Sequence, residues 1–266
     1  MNSKKVSICI PVFECQGSAS GRKGEEYLSH LLASIKKQTY KNIEVIISDH
    51  SVDDSLMKLW QIWKEDTGID SIYVSNSNNR GSSESNLNNA ISLAEGDFIK
   101  PMYQDDFFHS ENALELMVKK LEESQERWVV ASTWHCKEDA TGILYNLHVP
   151  RIPDEISTWL LGINTLGSPS VMMYEKFDEY FDPLLVWLPD TEFYYRMGKK
   201  RGYPSIVEEP CVVTRMRKDS ITETQITDEV FKNEVEYNTC KHISKERINL
   251  KDYNTIYERA NLLKLL

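Results

Sequence analysis

Adjacent carboxylates, Asp105 and Asp106, end the stretch FIKPMYQDD. A hard divalent cation takes oxygen ligands, and neighbouring carboxylates after an apolar strand are suited to holding one against a phosphate-bearing molecule. Helix capping or a solvated turn is the plainer reading of the same pair. A third carboxylate, Asp190, lies in LPDTEF at the expected start of a helix, where it is held rigidly and can serve as N-cap. Asp49 closes IEVIISD and Glu14 follows VSICIPVF, so both stand just past apolar runs. A carboxylate at such a position accepts hydrogen bonds from N–H groups. Ahead of Asn86, the run Asn79-Arg80-Gly81-Ser82 offers a turn-forming glycine, a capping serine and a cation. Arg215-Met216-Arg217-Lys218 concentrates positive charge in an otherwise acidic chain.

These residues need a scaffold, and the pattern around them supplies one. Apolar, β-branched runs at 6–12, 43–48, 71–74 and 97–102 alternate with helix-period segments at 25–37, 54–65 and 83–94. Such alternation predicts a Rossmann-like, mostly parallel central sheet flanked by crossover helices. Tyr27, Leu28, Leu31, Leu32 and Ile35 recur at helical spacing and predict a helix that covers this sheet. Val12, Glu14, Asp49, Arg80, Asp105 and Asp106 then all fall at or beyond carboxyl ends of strands, where ligands collect in open α/β sheets. Further on, the pattern predicts a helix at 113–122, strands at 128–133, 169–174 and 206–216, a short helix at 155–161 and a helix at 190–200. An irregular loop is expected at 139–153 and a helix-like tail from Asp228.

The chain has 266 residues, enough for a sizeable core. Its 41 acidic against 31 basic side chains give a formal charge of −10, which argues against a nucleic-acid partner. Cys9, Cys15, Cys136, Cys211 and Cys240 show no paired spacing and read as free thiols of a cytoplasmic protein. The N-terminal apolar run is only strand length, so neither a signal peptide nor a membrane anchor is expected from it. No GxGxxG follows the first strand, which argues against a dinucleotide oxidoreductase.

In order and spacing, VSICIPVFE, VIISDHSVDDS, NNRGSSESNLNNAISLAEGDFIKPMYQDD, GSPSVMMY and LPDTEFYYR resemble the family 2 glycosyltransferases of the bacterial surface-polysaccharide type. The resemblance spans about residues 6–222. It implies an α/β GT-A fold of the nucleotide-diphospho-sugar transferases and inverting transfer of a sugar (EC 2.4 class). The donor implied is a nucleotide-diphosphate sugar, expected to be UDP-linked; the acceptor is a hydroxyl of a saccharide or a lipid-linked saccharide. Mn²⁺ or Mg²⁺ is implied as cofactor, with Asp106 as metal ligand and Asp105 near ribose or metal-bound water. Asp190 becomes the base, while Val12, Glu14 and Asp49 face the nucleoside. Asn86, Arg80 and Arg217 belong to the donor side, the two arginines toward phosphate. Gly167-Ser168-Pro169-Ser170 would lie near donor sugar and acceptor. The chain departs from the family at His50 and Val52, where a glycine-containing turn is usual, at Ser85, where arginine often precedes the asparagine, and at Gln104, often acidic.

A metal-dependent sugar-1-phosphate nucleotidyltransferase is the competing enzyme class, with Gly17–Gly24 as its phosphate-gripping loop. The expected division is a GT-A domain over 1–227 and a helical extension over 228–266, packed on the same domain or on a partner. Leu262, Leu263, Leu265 and Leu266 form an apolar tip compatible with peripheral contact at the inner face of a membrane, with a homo-oligomer interface or with burial. Trp159 and Trp187 offer flat faces for an acceptor sugar or for the core.

Overall fold

Seven consecutive residues, Val6–Val12, are all buried in the computed structural model, which describes residues 3–14, 23–137, 140–218, 220, 224 and 226–243. They form β1, and burial on both faces is what a central strand covered by helices on either side requires. β2 (Ile43–Asp49) is likewise buried throughout and pairs with β1 in parallel; β3 (Ser71–Ser75) pairs with β2 in the same sense. Register brings three strand ends level, with Val12 opposite Asp49 and Asp49 opposite Ser75. On the other side of β1 lies β4 (Phe98–Pro101), whose last rung joins Cys9 to Pro101. Pro11 stands beyond that rung, so its missing N–H interrupts no pairing with β4.

Three helices, α1 (Lys23–Lys36), α2 (Ser55–Thr67) and α3 (Ser83–Ser92), make the crossovers. α1 buries Tyr27, Leu28, Leu31, Leu32 and Ile35, the stripe its sequence predicts. Beyond β4 the sheet changes character. Its order is β3-β2-β1-β4 followed by β8 (Met172–Glu175), β6 (Trp128–Lys137), β9 (Ser205–Met216) and β5 (Phe107–Phe108). β8 runs antiparallel to both β4 and β6, β9 runs parallel to β6, and β5 pairs antiparallel with β9. The sheet is therefore parallel in its N-terminal half and mixed in the second.

The expected loop at 139–153 is instead largely strand: β7 (Ala140–His148) pairs antiparallel with the second half of β6. Ile143, Tyr145 and Leu147 point outward, so no buried face announces this strand in the sequence; backbone pairing alone defines it. The expected strand at 169–174 starts only at Met172, because Pro169–Val171 turns as a 3-10 helix with proline in its first turn.

α4 (Ala113–Glu123), the one-turn α5 (Ser157–Leu160) and α6 (Pro189–Arg201) cover the second half. α7 (Asp228–Ile243) follows and sets Phe231 and Val235 against Leu188, Leu161 and Trp187. Gly162 makes this contact feasible: its φ is +75°, and a Cβ there would stand 2.6 Å from the Phe231 ring and 2.8 Å from Leu188. The leucine-rich tip at 262–266 lies outside the described residues. Trp159 is fully buried, in ring contact with Trp128 and Tyr194, and belongs to the core.

At the amino ends of β1, β2 and β4 a single buried carboxylate locks the strands together. Glu44 accepts hydrogen bonds from Ser7 Oγ at 2.5 Å and from the Glu95 and Gly96 N–H groups at 2.7 and 2.9 Å, and pairs with Lys5 at 2.7 Å. Burial pushes its carboxyl up, but the bonds from Lys5, Ser7 and Glu95 outweigh burial and hold it below the ordinary range. Glu44→Gln is expected to cost about 2 kcal/mol at neutral pH in urea unfolding. Because the folded value is depressed, this contribution is present above the unfolded carboxylate's pKa of about 4.3 and lost as pH falls through Glu44's own value. The gap between Glu44→Gln and the parent should thus close on acidification.

Candidate functional site

The level ends of β1, β2 and β3 form one wall of a crevice. Val12 carbonyl accepts from the His50 N–H at 3.0 Å and from Asn86 Nδ2 at 3.0 Å, while Asn86 Oδ1 accepts from Ser48 Oγ at 2.6 Å. Asn86 is 2% exposed, so its amide acts as a fastener between α3 and two strand ends. Asp49 is buried; one carboxylate oxygen accepts from the Ser51 N–H at 2.7 Å and the other from the Tyr73 hydroxyl. Glu14 turns inward as well: its carboxylate accepts the Glu25 N–H at 3.0 Å and serves the first turn of α1. Arg80, by contrast, is exposed on the turn before α3, and Ser82 caps that helix through the Ser85 N–H at 3.1 Å.

Gln104 has a job that the sequence did not disclose. Its amide accepts the Phe13 N–H at 2.7 Å and donates to the Phe13 carbonyl at 3.0 Å. An ionised carboxylate could not donate, so an amide is the side chain that fits here.

Past β4, Asp106 is buried and accepts the Arg215 N–H at 3.2 Å. Burial first, and the neighbouring Asp105 charge second, push its carboxyl well above the usual range. Beneath it lies Lys100, fully buried, donating to the carbonyls of Pro101 and Ser170. Burial pushes the Lys100 ammonium down to about 7, against the pull of Asp106. Ser170 completes this layer by accepting the Tyr103 N–H at 3.0 Å. Two arginines from the end of β9 close over the acidic pair. Arg215 donates to the Asp105 carbonyl at 3.1 Å and lies 4.5 Å from the centre of the Tyr27 ring; Arg217 pairs with the Asp105 carboxylate at 3.3 Å.

Asp190 occupies the second residue of α6, with Leu188 as N-cap and Pro189 first in the helix, so it does not take the N-cap position. One oxygen accepts Asn164 Nδ2 at 2.6 Å and the other its neighbour's N–H, from Thr191, at 2.7 Å. Burial nevertheless raises its carboxyl to about 7, with help from the charge of Glu84. The Tyr103 phenol stands in the field of Glu84, Asp190 and Tyr194, and its carbonyl accepts the Asp106 N–H at 3.1 Å. Asn164 itself is fixed by Gly167, donating to its carbonyl and accepting its N–H, both at 2.9 Å.

Val12, Asp49, Asn86, Asp105, Asp106 and Asp190 thus stand around one end of the sheet with Arg217, while Glu14 faces α1 and Arg80 faces solvent. Lys100, Glu84 and Asn164 were missed by the sequence reading, whereas Arg215 belongs to the basic run it singled out. Only Lys100 had a signal, as a lone charge inside a short apolar strand that ends in two carboxylates. Among the described residues no group of three or more His, Cys, Asp or Glu converges as a metal cage, and no helix is long and apolar enough to cross a membrane.

The model of the family described as Glycosyl transferase family 2 matches residues 7–181, about two thirds of the chain. The chain belongs to this family. GlyG, a glycosyltransferase of Streptococcus pneumoniae serotype 4, is 27% identical over 144 residues, 54% of this chain and 43% of that protein. A GalNAc(5)-diNAcBac-PP-undecaprenol beta-1,3-glucosyltransferase of Campylobacter jejuni is 30% identical over 120 residues, 45% of this chain and 35% of that one. The matches therefore span less than half the length of these curated relatives. In three dimensions, Staphylococcus aureus TarS 1–349 in complex with UDP-GlcNAc superposes with a TM-score of 0.65 at 17% identity, over 96% of this chain and 70% of that one. A mannosyltransferase of Pyrobaculum calidifontis, in complex with GDP-Man and Mn²⁺, gives 0.58 at 16% identity, over 91% and 71%. The fold of this family 2 member is GT-A. The family match sets aside the nucleotidyltransferase alternative, whose loop at 17–24 falls mostly outside the described residues.

An Asp190 carboxyl raised to about 7 has a consequence for stability. The unfolded carboxyl ionises near pH 4, so between about pH 4 and 7 the folded state holds the extra proton and stability falls as pH rises. Asp190→Asn, which cannot ionise, should melt a few °C above the parent at pH 8, on the order expected for a 1–2 kcal/mol gain, and level with it at pH 4. Scanning calorimetry at the two pH values reads this directly.

Proposed function

We propose that this chain transfers a sugar, with inversion, from a nucleotide-diphosphate sugar to a hydroxyl of a saccharide or lipid-linked saccharide acceptor. The observation that carries the proposal is the Asp105-Asp106 pair and Asp190 at one end of the sheet, with Tyr103 between them: its carbonyl accepts the Asp106 N–H at 3.1 Å and its phenol feels the charge of Asp190. A uridine-linked donor fits the first wall: Asp49, still offering lone pairs, accepts an N–H of the base, and the Val12 backbone lies beside it.

The acidic pair suits a cation carried in with the diphosphate. Two adjacent carboxylates, one buried and short of counter-charge, are what Mg²⁺ or Mn²⁺ shares with phosphate oxygens, whereas a dedicated cage needs more protein ligands. Asp106 would hold the ion and Asp105 would stand beside it. When bound, the ion supplies neutralisation of the charge that collects on the departing diphosphate. Arg217, now on Asp105, is placed to share in that neutralisation.

Asp190 acts on the acceptor side. Its hydrogen bonds from Asn164 and the Thr191 N–H fix both oxygens in direction, and its raised affinity for a proton lets it remove the acceptor hydroxyl's proton as that oxygen attacks the anomeric carbon. Support for a lipid-linked acceptor comes from the Campylobacter relative, a GalNAc(5)-diNAcBac-PP-undecaprenol beta-1,3-glucosyltransferase. The helical segment from Asp228 is proposed as an extension packed on the same domain.

Titration calorimetry with UDP, with and without Mn²⁺, tests the donor side. Metal-dependent binding is expected, and Asp106→Asn should weaken it at least tenfold; equal affinity of this variant in the presence of metal would remove Asp106 as ligand. For the acceptor side, Asp190→Asn should lower turnover by about 10²–10⁴ with UDP affinity intact. Normal turnover in that variant would end its role as base.

A further inference from the structure

The loop that delivers Asp190 has no helix or strand of its own from Asp182 to Leu188, yet it must fix the first turn of α6. It is held from outside by α7. The Glu234 carboxylate accepts three successive backbone N–H groups, from Val186 at 2.7 Å, Trp187 at 3.0 Å and Leu188 at 2.9 Å. Leu188 is the N-cap of α6, and an anion at this end also meets the positive pole of the helix.

Lower on the same face of α7, Lys241 bridges Asp182 at 2.6 Å and Glu192 at 2.9 Å, His242 reaches Glu192 at 2.7 Å, and the Tyr237 hydroxyl donates to Asp182 at 2.8 Å. Glu192 is fully buried and also receives Arg196 at 2.9 Å. α7 therefore grips both sides of Asp190: the loop before it and the helix turn after it. All these contacts lie beyond residue 181, where the family match stops.

We propose that Glu234 is a positioning residue for Asp190, setting the start of α6 so that the Asp190 carboxylate faces Asn164. This rests on the reading of Asp190 as base, but it is tested without turnover. Glu234→Gln keeps the size and removes the charge that three N–H groups share. An amide has one oxygen to offer them and turns an NH₂ toward the remainder, so the loop must let go in part. The partly exposed Asp190 carboxylate then loses its fixed setting and gains further hydration, and its proton affinity drops toward that of an ordinary carboxylate.

The experiment follows the side-chain carboxyl of Asp190 by NMR in ¹³C-aspartate-labelled protein, assigned by its absence in Asp190→Asn. In the parent the midpoint should lie near 7. Glu234→Gln should move it down by about one pH unit or more, whereas Glu229→Gln, on an exposed position of the same helix, should leave it in place. Glu234→Asp, with the charge kept but drawn back by one methylene, should shift it in the same direction by less, and serves if the glutamine variant does not fold. An Asp190 midpoint unchanged in a folded Glu234 variant overturns the proposal. UDP binding, measured alongside, should be unaltered. Failure of the parent to bind UDP would count against the donor reading, while the Asp190 titration would still decide the role of Glu234.

Discussion

Negative charge withdrawn from water is the constraint that organises this structure. Asp106, Asp190 and Glu84 are crowded at one end of the sheet, and burial drives each toward its neutral form. Isolated ions of this kind would be expelled or protonated, so the fold surrounds them with partial compensation. Lys100 lies under Asp106, Arg215 gives it a backbone N–H, and Asn164 with Thr191 supports Asp190. The compensation is incomplete, and that incompleteness is what raises the proton affinity of Asp106 and Asp190.

The opposite end of the sheet handles charge differently. Glu44 is just as enclosed, but Lys5, Ser7 and two backbone N–H groups satisfy it, and it remains ionised. One buried carboxylate thus joins strands in its ionised form, while the others are driven toward their neutral form. The contrast follows from the direction of the parallel strands: helices begin past their carboxyl ends, where binding crevices open, while their amino ends can be sealed.

Much of the first half was legible in the sequence because its strands are buried on both faces and its helices carry a clean apolar stripe. α1 and the strands β1, β2 and β4 show this directly. β7 was not legible, since its apolar residues face outward and only pairing with β6 makes it a strand. At the site, residue type and position past a strand pointed to Asp49, Asp105 and Asp106. They could not reveal that Glu14 spends its carboxylate on α1, or that Glu84 lies close enough to influence Asp190. Those facts depend on which way a side chain turns once helices are packed, and no short pattern encodes that.

Glu234 holds its loop entirely through backbone N–H groups, which every residue except proline possesses. The polar grip therefore makes no demand on the side chain of Val186, which stands 41% exposed, whereas Trp187 and Leu188 also pack on Phe231 of the same helix. Position 186 can thus change in size and polarity without loosening the start of α6. A loop fastened by its main chain keeps its course while such a surface position varies.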